Sequence, residues 1–87
     1  MNNKELVKVL KAIGNERRLD ILRRITKSRQ MSVGTLSEKI GLSFRSVSKH
    51  LSVLSGAGLV EAKQISLSRY YYISSDFPKQ FREFIKN

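Results

Sequence analysis

The chain has 87 residues, with 17 Lys and Arg against 7 Asp and Glu, a formal net charge of +10, a single histidine and no cysteine. Residues 1–87 suit one domain, whose small core would gain stability from a second copy. The lack of cysteine excludes disulfides and thiolate zinc sites, and a lone His50 argues against a histidine metal cluster. We therefore expect no metal and no cofactor.

The positive charge favours a polyanionic partner, nucleic acid before an acidic membrane surface. No apolar run is long enough to cross a bilayer, and the polar start Met-Asn-Asn-Lys-Glu is unlike a signal peptide. A cytoplasmic protein is therefore expected. Paired carboxylates, a nucleophile–base set and a Gly-rich phosphate loop are all missing from the sequence, which argues against an enzyme.

Two amphipathic helices are predicted at the start of the chain. Apolar residues recur at helical spacing up to Gly14, which ends the first helix. Asn15 is a suitable N-cap for a second helix from Glu16 to about Lys27. The apolar positions are Leu6, Val9, Leu10 and Ile13 in the first helix, and Leu19, Ile21, Leu22 and Ile25 in the second.

A helix-turn-helix followed by a hairpin is predicted from residue 31 to residue 73. A short helix covers Ser32 to Ile40, Gly41 makes a tight turn, and a second helix runs from Ser43 to about Ala57. Gly58 stops that helix, and a hairpin from Leu59 to Ile73 forms a wing. A helix held across another helix can enter a major groove. The predicted fold class is therefore mainly α with a small β-hairpin, a winged helix-turn-helix of about five helices plus the wing.

Helix 43–57 has the two faces that a DNA-reading helix needs. At 100° per residue, Val47, Leu51 and Leu54 form its inward side. The opposite side carries cations and short hydroxyls. Arg45 can donate a bidentate pair to guanine, whereas Lys49 suits a phosphate. The DNA-binding candidates on this helix are Ser43, Phe44, Arg45, Ser46, Ser48, Lys49 and Ser52.

Positioning contacts are expected from the preceding helix and from the wing. Ser32 and Ser43 are suitable N-caps, and the free amides of a first helical turn can hold a phosphate oxygen. Phosphates and the minor groove attract exposed polar and cationic side chains. The candidates for these contacts are Ser32, Thr35 and Lys39 on the helix, and Lys63, Gln64 and Arg69 on the wing.

Two residues on helix 43–57 have competing interpretations. Phe44 lies at the edge of the inward face, so a core-edge aromatic is favoured over a contact to a thymine methyl group. His50 lies at the other edge of that face. A packing histidine is favoured there over a ligand or a catalyst, because no partner residue for either role stands out in the sequence.

The wing has an unusual tip. Alternation places Tyr71 on the opposite side of its strand from Tyr70 and Tyr72, and ordinary sheet packing is the favoured role for all three. The tip, residues 65–68, has two aliphatic residues and no glycine, which is not typical of a tight two-residue turn. Three explanations of the apolar tip remain open: contact with a partner, an ordered fold-back of the apolar residues, and simple tolerance of their exposure.

An aromatic stripe predicts a last helix of nine or ten residues. Pro78 suits its first turn, and Asp76 or Ser75 can cap it. The apolar stripes of the first and last helices could simply close the monomer core, but a homodimer is favoured because the last stripe exceeds what a small domain needs. A two-fold dimer would place two reading helices roughly 34 Å apart. The dimer-interface candidates are Leu6, Leu10, Ile13, Phe77, Phe81, Phe84 and Ile85.

Three blocks in this order resemble the ArsR-type (arsenic-repressor-like) winged helix-turn-helix family of transcription regulators. The blocks are Leu10–Leu22, Ser32–Ser43 and Val47–Val60. The resemblance implies a homodimer joined through its first and last helices, which binds a partly palindromic operator and usually represses. It also implies that Arg45, Ser46, Ser48 and Lys49 lie at the groove, with Arg69 on the wing.

Departures from the family pattern concern metals and the wing. Metal-sensing members often place a cysteine around the position of Ser32, and others use Asp, His and Glu pairs on the last helix. This chain has only Asp76 and Glu83 near that helix, so the resemblance does not extend to metal sensing by those routes. The glycine usual at the wing tip is also missing.

Two other function classes stay open at this point. A protein-interaction module is suggested by the apolar wing tip and by the low charge of residues 31–60, which carry a net +2 against +6 for residues 1–30. Binding to RNA or non-specific binding to DNA is suggested by the arginines of residues 17–29, although a solvated helix face has a similar composition.

Overall fold

The computed structural model describes residues 1–86. It confirms the predicted winged helix-turn-helix, with four α-helices, a small antiparallel sheet and a fifth helical segment that is a 3₁₀ helix. In chain order the elements are α1 (Asn3–Ile13), α2 (Glu16–Ser28), β1 (Met31–Ser32), α3 (Val33–Ile40), α4 (Phe44–Gly56), β2 (Val60–Ile65), β3 (Ser68–Ile73) and the C-terminal 3₁₀ helix (Lys79–Ile85).

Each α-helix begins at a capping side chain. Asn15 accepts a hydrogen bond from the Arg18 amide at 3.0 Å, and Asn2 caps α1 in the same way. Ser32 and Ser43 start α3 and α4. Such a cap satisfies one of the amides that a helix start leaves unpaired, and is worth about 1 kcal/mol. The N-caps predicted from the sequence for α2, α3 and α4 are therefore confirmed.

Positive φ angles end the inner helices. Gly41 has φ 78° after α3, and Gly58 has φ 74° between α4 and β2, a region that residues with a Cβ rarely enter. The end of α2 is different because Arg29 takes φ 72° without being glycine. A left-handed non-glycine residue costs on the order of 1–3 kcal/mol, so neighbouring structure must hold it there.

The wing belongs to a three-stranded sheet of order β1-β3-β2, with both pairings antiparallel. β1 was not predicted from the sequence, because two residues are too few to show an alternating pattern. Its register with β3 pairs Met31 with Tyr71, and Ala62 of β2 pairs with Tyr71 from the other side. Tyr71 packs against the core, as expected for a strand whose neighbouring tyrosines face the other way.

The wing tip is a tight two-residue connection, contrary to the expectation from its composition. Ile65 and Ser68 are paired, which leaves only Ser66 and Leu67 between the strands. Ser66 adopts φ 56°, the conformation for which hairpin turns normally use glycine or asparagine. Leu67 is 97% exposed, so the tip is not an ordered apolar fold-back.

One hydrophobic core joins the helices to the sheet. The predicted inward ridge of α4, made by Val47, Leu51 and Leu54, is fully buried, and so are Ile21 and Leu22 of α2. Burial of each such side chain contributes about 1.5–3 kcal/mol before conformational entropy is counted. Because α4 is held by its buried ridge, its opposite face is fixed toward solvent.

The C-terminal segment corrects two predictions. It is a seven-residue 3₁₀ helix and not a longer α-helix, and neither Asp76 nor Ser75 caps it, since Pro78 occupies the cap position without a side-chain bond. A side-chain hydrogen bond is made instead in the turn before it, where Oγ of the buried Ser74 accepts from the Asp76 amide at 3.1 Å. This turn lies before Pro78, and it turns the chain so that Phe77 is buried.

Candidate nucleic-acid interface

The outward face of α4 lies opposite its buried ridge. Arg45, Lys49 and Ser52 are exposed, whereas Ser46 and Ser48 are half-buried at the margins. Within residues 1–86, the side chains of Arg45 and Lys49 form no hydrogen bond or ion pair. Four residues of helix separate them by about 6 Å along its axis. The two cations are thus free to meet an external partner from one helix face.

The capping serines bond to the first turns of α3 and α4. Ser43 Oγ accepts from the Ser46 amide and donates to Ser46 Oγ, both at 3.1 Å. Ser32 Oγ likewise accepts from the Thr35 amide at 3.1 Å and lies 3.0 Å from the hydroxyl of Thr35. These hydroxyls are committed to the helix starts. Only the backbone amides of the first turns, together with Thr35, remain for phosphate oxygens.

Phe44 is 61% exposed, so its predicted role as a core-edge aromatic is wrong. The helical wheel aligns it with buried Leu51, but Phe44 is the first residue of α4. Helical side chains lean toward the N-terminus, and at the first position this direction leads past the end of the core. Phe44 is instead available on the same end of the helix as Arg45.

The sheet register divides the predicted wing residues between two faces. Gln64 and Arg69 are directly paired and share the face of Tyr71. The guanidinium of Arg69 lies 5.7 Å from the Tyr71 ring centroid, and its Nε donates to the Tyr71 hydroxyl at 3.2 Å. Lys63 points to the other face, with its ammonium 5.6 Å from the Tyr72 ring. The three residues therefore do not form one contact group.

The first turn of α3, the start of α4 and the wing tip meet around a cleft of ≈ 260 Å³, which we call the wing cleft. Two predicted residues from different elements, Phe44 and Arg69, both line it. Four lining residues, Val33, Gly34, Leu67 and Ser68, are not among the sequence-predicted site residues, because their proximity depends on the fold. The lining residues are Ser32, Val33, Gly34, Phe44, Gln64, Leu67, Ser68 and Arg69.

His50 connects α4 to the N-terminal helices. Its Nδ1 lies 3.3 Å from Nη1 of Arg18. A guanidinium can only donate, so Nδ1 accepts and the ring is neutral. Burial lowers the pKa of His50, and the positive charges of Arg18 and Arg17 lower it further. The packing role expected for His50 thus includes a polar partner that the sequence did not indicate.

Several cations of the basic N-terminal third have partners within the chain. Arg18 also donates to the Ala12 carbonyl at 2.7 Å and to the Lys11 carbonyl at 3.1 Å. Arg23 donates to the Phe84 carbonyl at 2.8 Å, and Arg24 pairs with Asp20 at 3.1 Å. Part of the charge excess of residues 1–30 therefore serves to join helices.

Two negative observations concern the described part of the chain. No helix within residues 1–86 has the length and apolar character that a bilayer crossing requires. Over the same residues, His, Asp and Glu side chains do not gather into a group of three that could hold a metal ion.

Comparison with known proteins identifies the family. Residues 13–62 match the family model described as a helix-turn-helix domain. The chain is 37% identical over 84 residues to the transcriptional activator HlyU of Vibrio cholerae serotype O1, covering 97% of this chain and 77% of that protein. The solved structure of HlyU from Vibrio cholerae superposes with a TM-score of 0.82 at 34% identity, covering 99% and 91% of the two chains. The chain belongs to the ArsR-type winged helix-turn-helix family of transcription regulators.

Two further relatives agree with this assignment. The nodulation protein NolR of Rhizobium meliloti is 42% identical to this regulator over 67 residues, which span 77% of this chain and 54% of NolR. The homodimeric winged helix-turn-helix DNA-binding domain Mb0332 from Mycobacterium bovis has a TM-score of 0.82 and 30% identity, covering 93% of this regulator and 72% of that chain.

Proposed function

We propose that this regulator acts in the cytoplasm as a homodimer that binds a partly palindromic DNA operator with α4 in the major groove and represses transcription there. The observation that carries the proposal is the outward placement of Arg45 and Lys49, opposite the buried ridge of Val47, Leu51 and Leu54. A helix so oriented can enter a major groove without disturbing the core.

Arg45 and Lys49 have different parts in the proposed complex. Arg45 lies near the N-terminus of α4, the end that contacts base edges in helix-turn-helix complexes, and a guanidinium can donate two bonds to guanine. Lys49 lies one turn further on and suits a phosphate. Base contacts specify a sequence, whereas phosphate contacts hold any sequence. Substitution of Arg45 should therefore change mainly the sequence specificity of binding, and substitution of Lys49 mainly the affinity for any duplex.

The proposed dimer uses apolar surface on the first and last helical segments. Leu10 of α1 is 47% exposed and Phe84 is 52% exposed, and Phe84 stacks on half-buried Phe81 with ring centroids 6.3 Å apart. Exposed apolar side chains on both segments suit contact with a second copy. Three of the predicted interface residues, Ile13, Phe77 and Ile85, are instead buried in the core of the chain itself.

Selection from random duplexes with the purified protein tests the DNA proposal. A recovered palindrome supports it, whereas equal affinity for the selected and scrambled duplexes at fixed salt contradicts it. Arg45→Ala should lose about 1–3 kcal/mol of discrimination at one base pair, and Lys49→Ala should weaken all duplexes alike and reduce the salt dependence. Lys79→Ala removes one exposed cation outside the proposed DNA interface and is the matched control.

The molecular mass in solution tests the dimer. The double substitution Leu10→Ser and Phe84→Ser should lower the mass from two copies to one, because both exchanges remove exposed apolar contacts without opening the core. Val53→Ser, an exposed apolar exchange on α4, is the control. A single-copy mass for the unaltered protein at operator-binding concentrations would contradict the proposal.

Repression is the direction that the family resemblance implies, although HlyU is named as an activator. A reporter with the selected operator placed between promoter and start site should fall in output when the protein is supplied. A rise in output would contradict repression while leaving operator binding intact.

A further inference from the structure

The most exposed large apolar side chain of the regulator lies at the wing tip. Leu67 is 97% exposed, and its neighbour Ile65 is 44% exposed. The two-residue connection is held by the pairing of Ile65 with Ser68, and Gln64 donates to the Ser66 carbonyl at 3.3 Å. Leu67 is therefore presented by a short, bonded turn and not by a long loop.

The surroundings of Leu67 favour a polyanion as its partner. Residues 62–71 contain two cations, Lys63 and Arg69, and no acidic residue. Leu67 also lines the wing cleft together with Phe44 and Arg69. The leucine is thus continuous with the proposed DNA interface at the start of α4. A single exposed leucine is common on protein surfaces, but this one lies where a hairpin beside α4 would reach the adjacent groove.

Apolar side chains have a known use at such a position. A leucine forms no hydrogen bond with bases, but it can enter a minor groove and push partly between two base pairs while cations on either side hold the phosphates. The energy of that deformation depends on the sequence, and is lowest at flexible pyrimidine–purine steps such as TA and CA. A leucine wedge therefore selects bases to which no side chain is hydrogen-bonded.

We propose that Leu67 is a minor-groove wedge that partly unstacks a base step beside the major-groove site, and so makes this regulator prefer operators with a flexible step under the wing. This inference rests on the proposed operator binding by α4.

The test uses duplexes of the selected operator with 2-aminopurine at successive positions under the wing, because the fluorescence of this base rises when it is unstacked. Wild-type protein should raise the signal at one step, and replacing that step by a stiff A-tract step should weaken binding roughly tenfold, about 1.4 kcal/mol. Leu67→Ser should lose both effects, and Leu67→Met should keep them. Ile65→Ser, on the same turn, should keep them as well.

Several results would overturn the wedge, and they differ in what else they affect. In one such result Arg45→Ala weakens operator binding, but the 2-aminopurine fluorescence does not rise and Leu67→Ser binds the operator as tightly as the wild type. That result contradicts the wedge and leaves the proposed operator binding intact. Leu67-dependent binding to anionic vesicles or to a protein, without any change at the duplex, has the same consequence. Failure of the unaltered protein to prefer any duplex removes both proposals.

Discussion

Replacement of Arg18 by alanine should destabilise the regulator more than any other single loss of a surface charge on α2. The guanidinium donates to the carbonyls of Ala12 and Lys11 at the end of α1 and to His50 on α4. One side chain thus ties α1 and α4 to the start of α2. The carbonyls at a helix end have no partner within the helix, so Arg18 supplies bonds that are otherwise left to water.

The size of the effect follows from these contacts. A hydrogen bond from a charged group contributes about 1.5–3 kcal/mol when it is buried. Arg18 is only half-buried, so we take about 1 kcal/mol for each of the two carbonyl bonds and expect a total loss of about 2 kcal/mol. For a domain of this size, 1 kcal/mol corresponds to roughly 4–8 °C in Tm, which gives a fall of roughly 8–16 °C.

Thermal unfolding at one fixed protein concentration is the measurement, since self-association shifts the apparent stability. Arg17→Ala is the matched control, because Arg17 is the exposed neighbour on the same helix and its loss removes the same charge. Arg18→Lys should recover only part of the stability, since an ammonium cannot reproduce the planar set of donors. Equal Tm values for Arg17→Ala and Arg18→Ala would refute the reasoning.

Two further predictions concern His50 and the start of α4. The pKa of His50 in the folded chain is lowered from 6.5, so below about pH 6.5 the unfolded chain binds the proton more readily than the folded chain does. The contribution of neutral His50 to the free energy of unfolding is therefore present above about pH 6.5 and is lost as the pH falls below that value. His50→Gln should therefore flatten the pH dependence of the unfolding free energy between pH 7 and pH 5, and an unchanged slope would contradict this origin. Ser43→Ala removes the cap of α4 and should cost about 1 kcal/mol in urea unfolding, whereas Ser55→Ala, an exposed position inside the same helix, should cost little or nothing. Equal losses at the two serines would show that capping is not the cause.

The four α-helices, the caps of α2, α3 and α4, and the inward ridge of α4 were predictable from the sequence because each depends on residues close together in the chain. Asn15 and Ser43 bond to amides three positions ahead, and the spacing of Val47, Leu51 and Leu54 follows from helical geometry alone. The same geometry puts Arg45 and Lys49 on the opposite side. The face proposed to contact DNA was therefore predictable before any tertiary contact was known.

Phe44, β1 and the wing tip were decided by the tertiary structure. Periodicity counts Phe44 among the inward residues, but it cannot tell where along the helix the core ends. The two residues of β1 are a strand only because β3 runs beside them. Ser66 takes a positive φ because the pairing of Ile65 with Ser68 leaves only two residues to close the hairpin.

The bond between Arg18 and His50 spans 32 positions in the chain, and the wing cleft joins elements from α3 to β3. Neither leaves a repeating pattern in the sequence, since each pair of residues meets only after the buried ridges have packed. Local periodicity and capping chemistry determined which residues face inward or begin a helix. Packing alone decided which outward side chains became neighbours, as Phe44 and Arg69 did at the wing cleft.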